Sequence, residues 1–141
     1  MSERPAVADL PVSTFSADVV AEVPPSATLL EVADALTNGE VGAVIVRDDG
    51  KVVGVVSERD LVSALSRRLP MDETTAAEVA STELVWADAA APVGEVANEM
   101  LEHYVRHILV EEDGELAGMV SARDLLGAYS TDVDEDFGDL D

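Results

Sequence analysis

Two stretches of this chain carry the same hydrophobic rhythm. Apolar, largely β-branched runs at Ala43 to Val46 and Val52 to Val56 flank Asp49-Gly50, and runs at Ile108 to Val110 and Leu116 to Val120 flank Asp113-Gly114. Asp-Gly between two apolar runs is the strongest short hairpin signal, because both turn positions need a positive φ. Upstream of each hairpin the period changes to that of a helix. Leu29, Val32, Ala33 and Leu36 fall at i, i+3, i+4 and i+7, as do Val93, Val96, Ala97 and Met100. These predict amphipathic helices from about Ala27 to Thr37, with Ser26 as N-cap, and from about Pro92 to His103, with Pro92 in the first turn. Short apolar runs, Val19 to Val23 and Leu84 to Ala87, predict an opening strand for each. A further helix is expected to start at Ser57 and again at Ser121. Each pattern therefore reads strand, helix, strand, strand, helix.

The two patterns are one sequence repeated at an offset of 64. Val41 to Leu61 aligns without gaps on Val105 to Leu125, with ten of 21 positions identical, and the helix positions upstream keep the same offset. A half of about 60 residues buries too little surface to be comfortable alone. The expected architecture is α+β: two pseudo-symmetric repeats, 10–68 and 74–130, packed through their sheets, followed by an acidic tail, 131–141, expected to be disordered. Thr74-Thr75 is expected to start a short lead helix for the second copy.

Composition then narrows the function. Thirty acidic residues face eight basic ones, for a formal net charge of −22, of which the tail holds six negative charges. Such a polyanion cannot neutralise phosphate backbones or anionic lipid surfaces, which excludes general nucleic-acid and membrane binding. Apolar residues make up 48% of the chain, well above the disordered range, so a core forms. One lysine, Lys51, stands against seven arginines, a halophile-like acidic composition whose self-repulsion salt screens. No apolar run reaches the roughly 20 residues of a membrane span, and the first ten residues lack the basic-then-apolar order of a secretory signal. The expected location is cytoplasmic. Cysteine is absent, so there is no disulfide, thiolate nucleophile or cysteine metal site.

The segments Gly54-Val55-Val56-Ser57-Glu58-Arg59-Asp60-Leu61 and Gly118-Met119-Val120-Ser121-Ala122-Arg123-Asp124-Leu125 place a serine where a strand gives way to a helix, with arginine and aspartate in the first turn. Free backbone N–H groups and the positive end of the helix dipole suit an anion there. Arg59 and Arg123 add charge-assisted donors for phosphate, while Asp60 and Asp124 are acceptors for a ribose diol. The same S-x-x-D pattern is a capping box, serine and aspartate each bonding the other's backbone N–H. Capping and binding are compatible, and the sequence leaves both open.

Taken with the hairpins and the constant offset, these segments resemble a tandem pair of CBS domains, the regulatory Bateman module, over about Leu10 to Tyr129. The resemblance implies two clefts between the repeats that take an adenosyl ligand such as AMP, ADP, ATP or S-adenosylmethionine, with serine and arginine addressing phosphate and aspartate the ribose. It also implies a homodimer and a regulated partner protein. Base contacts map onto Val20 and Leu84, and onto Gly42-Ala43 and Arg106-His107 at the start of each second strand; ordinary core is the competing reading for Val20 and Leu84. Arg106-His107 has no counterpart in Gly42-Ala43, so the two sites are expected to differ in charge. The competing function is an assembly scaffold with empty clefts.

Other features carry less. Arg67-Arg68 closes a helix, where cations compensate the dipole. The acidic hairpin tips match no EF-hand spacing, and His103 and His107 straddle a helix-to-strand boundary, so no metal site is expected. Trp86 is expected in a core or an interface. No nucleophile, base and orienter can be assembled, which argues against an enzyme and against an obligatory cofactor.

Overall fold

The computed structural model describes residues 6–16 and 21–129. Val19, Val20 and the acidic tail 131–141 lie outside the described residues.

The first repeat folds around a three-stranded sheet in the order β1 (Glu22–Val23), β2 (Ala43–Asp48), β3 (Lys51–Ser57). β1 runs parallel to β2, whereas β2 and β3 form the expected hairpin, with Asp49 at φ 50° and Gly50 at φ 79° supplying the two positive-φ positions. α1 (Leu29–Gly39) buries Leu29, Val32 and Leu36, and α2 (Glu58–Ser66) buries Leu61 and Ala64, on a core with Val44, Val46 and Val56. Each buried valine or leucine among them contributes roughly 1.5–3 kcal/mol.

Three boundaries depart from the sequence expectation. Among the described residues the opening strand covers Glu22–Val23 and leaves out Ala21. α1 is capped by Thr28, not Ser26: its hydroxyl accepts the Glu31 N–H at 3.2 Å and the Glu31 carboxylate accepts the Thr28 N–H at 3.2 Å. Ser26 has apolar Leu29 three residues on and so no partner for a reciprocal cap. The short helix predicted after Thr75 exists as α3 (Ala76–Val79), but it packs in the first repeat, where Ala76 is fully buried beside Val32 and Val44 in one core.

The second repeat copies this plan with β4 (Trp86–Asp88), α4 (Val93–His103), β5 (His107–Glu112), β6 (Glu115–Ser121) and the helical residues 122–129, here α5. Strand order and pairing repeat those of the first sheet, and Asp113 and Gly114 take φ 55° and 80° in its hairpin. Val93, Val96, Met100, Ile108, Val110, Val120 and Leu125 form the core, which the N-terminal residues Val7 and Val12 complete. Trp86 is 36% exposed and belongs to neither core, which removes the core half of the expectation and leaves the interface half untested.

Each core is thus finished by the segment that precedes the other repeat in sequence. Val12 N–H donates to Ala91 O at 2.8 Å and Leu10 O accepts from Val93 N–H at 2.9 Å; 64 residues on, Ala76 N–H donates to Ala27 O at 2.7 Å and Thr74 O accepts from Leu29 N–H at 3.0 Å. The two sets are images of one another under the repeat. They also satisfy the first orphan N–H of α1 and of α4, which is how Pro92 serves as N-cap without a side-chain acceptor.

Candidate functional site

Both S-x-R-D turns form where the sequence places them, at the junctions of β3 with α2 and of β6 with α5. Ser57 N–H donates to Asp60 Oδ2 at 2.8 Å, Ser57 Oγ–H to the same oxygen at 3.0 Å, and Asp60 N–H returns a bond to Ser57 Oγ at 3.2 Å. In the second repeat Ser121 N–H donates to Asp124 Oδ2 at 2.8 Å and Asp124 N–H to Ser121 Oγ at 2.9 Å. The capping box is therefore real in both copies. In each it engages Oδ2 of the aspartate and leaves Oδ1 without a hydrogen bond among the described residues.

Beside each turn runs the start of the central strand. Ala43 pairs with Ser57 and His107 with Ser121, while Gly42 O accepts the Glu58 N–H at 2.9 Å and Arg106 O accepts the Ala122 N–H at 2.8 Å. Gly42, Ala43, Ser57, Arg59 and Asp60 thus gather at one end of the first sheet, and Arg106, His107, Ser121, Arg123 and Asp124 at the same end of the second. Ala43 is buried, His107 is half-buried, and Arg59, Arg106 and Arg123 are exposed. Among the described residues none of these three arginines is held in an ion pair; the one cation that is, Arg47, grips Glu22 through Nε at 3.1 Å and Nη2 at 3.0 Å.

Leu84 is half-buried and precedes β4, two residues before Trp86. It is adjacent to Val85, whose carbonyl accepts the Leu109 N–H at 2.9 Å. Its counterpart Val20 is outside the described residues. Sequence reasoning passed over Glu58, although a Cβ placed on Gly42 would stand 3.2 Å from Glu58 Oε1. The available signal was the coupled difference at positions 42 and 58 against 106 and 122. No group of three histidine or acidic side chains gathers to hold a metal among the described residues, and no described helix is long and apolar enough to cross a membrane.

Comparison with known proteins agrees with this layout. The family model for the CBS domain matches twice, at residues 8–67 and 76–131. The chain is 33% identical over 100 residues to Hypoxic response protein 1 of Mycobacterium tuberculosis, covering 70% of each chain. An uncharacterized conserved protein from Pyrococcus horikoshii superposes with a TM-score of 0.78 at 31% identity, over 86% of this chain and 93% of that one. The CBS domain protein PAE2072 from Pyrobaculum aerophilum, solved in complex with AMP, superposes with a TM-score of 0.72 at 32% identity, over 82% and 89%.

Proposed function

The chain belongs to the CBS domain family, and from that premise we propose that it is a regulatory module that binds an adenosyl ligand at its S-x-R-D turns and signals the bound state to a partner protein, without catalysing a reaction. The observation that carries this reading is the second aspartate oxygen. Among the described residues, the capping box in both repeats engages one oxygen of the carboxylate and leaves the other as an acceptor, one residue after an arginine that no described acid pairs. A carboxylate accepts two diol hydroxyls and an arginine donates to phosphate, the two halves of a nucleotide monophosphate. The AMP complex of a relative 32% identical lends the ligand class further support. A ligand shifts such a module only by binding its alternative arrangements unequally.

Titration calorimetry of the full chain with AMP, adenosine and S-adenosylmethionine in high salt tests the proposal. Binding is expected, and Asp60→Ala with Asp124→Ala weakens it by at least about tenfold, the cost of a lost hydrogen bond to a charged group. Each lost cap costs about 1 kcal/mol, roughly 2 kcal/mol for the double variant, so circular dichroism should find the fold retained. No heat with any of the three ligands would leave the scaffold reading instead.

We further propose that the module works as a homodimer in the cytoplasm. Support comes from the closing helices, which leave an apolar pair exposed at the same two positions of each repeat, Val62 and Leu65 on α2 and Leu126 and Tyr129 on α5. Sedimentation should give twice the chain mass, falling to one chain mass in Leu65→Arg with Tyr129→Arg; a monomeric wild type refutes the assembly.

A further inference from the structure

The two turns are alike in their caps and opposite in their charge. Counting by the repeat, Gly42 corresponds to Arg106 and Glu58 to Ala122. Within each unit the fold joins the two differences, since the carbonyl of residue 42 or 106 accepts the N–H of residue 58 or 122. In the first repeat the Glu58 carboxylate stands 3.2 Å from where a side chain on Gly42 would begin, so it borders that position and would have to shift slightly for a Cβ there. In the second repeat a guanidinium leaves the backbone at that point, and Ala122 carries no group long enough to oppose it. One negative charge is removed and one positive charge added, a change of two units at one place beside a helix N-terminus.

We propose that the pair at positions 42 and 58, matched by 106 and 122, selects the charge of the ligand: the second repeat takes an adenosyl compound bearing a 5′-phosphate, and the first takes one without phosphate, neutral or carrying a sulfonium. The inference rests on the adenosyl-binding reading above and adds to it which repeat takes which class. A carboxylate at contact range of a phosphate opposes it by Coulomb repulsion, weakened here because Glu58 is solvent-exposed. The residual effect is on the order of tenfold in affinity.

The test uses the full chain in one fixed salt concentration, with AMP and adenosine as probes. Asp124→Ala silences the second repeat so that the first is read alone. In that background the ratio of AMP to adenosine affinity is expected to rise on the order of tenfold when Glu58→Gln is added, because the amide keeps the length of the side chain and removes only its charge. Gly42→Arg with Glu58→Ala, which rebuilds the second repeat's pair, should raise it further. In the reciprocal Asp60→Ala background, Arg106→Gly should lower the ratio by a similar factor. A ratio that stays level in Glu58→Gln overturns the inference while leaving adenosyl binding intact. So does binding of both probes to the wild type with none to Asp124→Ala, which would make the first repeat empty. Failure of both probes to bind the wild type would instead remove the adenosyl reading itself, and this inference with it.

Discussion

Gly54→Ala is expected to lower the midpoint of thermal unfolding by about 10 °C, whereas Gly127→Ala should leave it level or raise it slightly. The two substitutions add the same methyl group in opposite surroundings. Gly54 lies in β3, opposite Val46, and a Cβ there would come to 2.9 Å from Ala80 Cβ and 3.2 Å from Ser81 O. Neither contact has a flexible end to swing away. Val55 N–H donates to Ser81 O at 3.1 Å and Ser81 N–H to Val55 O at 2.9 Å, so the 80–81 segment is pinned to the edge of the strand. Making room means pushing that segment outward and losing both bonds, on top of strain of roughly 1–3 kcal/mol for overpacking a fitted site. A glycine within a strand marks such a close approach of a second backbone. Gly127, in contrast, is in the helical stretch 122–129, where no described residue comes within 4 Å of the added carbon, and alanine there gains up to about 1 kcal/mol of helix propensity. Melting curves of the two variants decide the matter; a Gly54→Ala midpoint equal to wild type would mean that residues 80–81 do not press on β3.

That contact also shows where sequence reasoning ends. The hairpins, the amphipathic helices and the capping turns were legible because each is specified by neighbours in the chain: Asp49-Gly50 by its own φ requirements, Leu29 to Leu36 by their spacing, Ser57 to Asp60 by two groups three residues apart. The helix start at Thr28 was equally local and was misplaced at Ser26, for the decisive residue, Glu31, lies beyond the window in which a serine looks like a cap. The home of α3 was not local at all. Its pattern is compatible with packing on either repeat, and only the tertiary bonds, Ala76 to Ala27 and Leu29 to Thr74, assign it to the first. Symmetry held a clue, since advancing Val12 by the repeat length gives Ala76 and both are fully buried. At the site, the caps and the arginines were legible as types. The contact of Glu58 with position 42 was not, because it crosses from a helix start to a strand start 16 residues away in sequence.

Raising KCl from about 0.1 M to about 1 M at constant pH is expected to raise the unfolding midpoint by on the order of 10 °C, because it shortens the screening length from about 10 Å to about 3 Å around a chain of net charge −22. Self-repulsion weighs on the compact state more than on the unfolded one, in which the same charges lie farther apart. The hairpins allow a local check on this global argument. In the first repeat Asp48 and Lys51 are opposite one another across β2 and β3, a favourable pair, whereas the matching positions of the second repeat, Glu112 and Glu115 across β5 and β6, carry like charges. Like charges in register destabilise a sheet by up to about 1 kcal/mol. Glu115→Lys restores the first repeat's arrangement and removes two units of net negative charge, so it should raise the low-salt midpoint by about 3 °C. Glu115→Gln should give a smaller rise. Both gains should shrink in 1 M KCl, where the repulsion they relieve is already screened. Equal midpoints at the two salt concentrations would refute the electrostatic account, and a Glu115→Lys gain that persists undiminished at high salt would assign that gain to something other than charge.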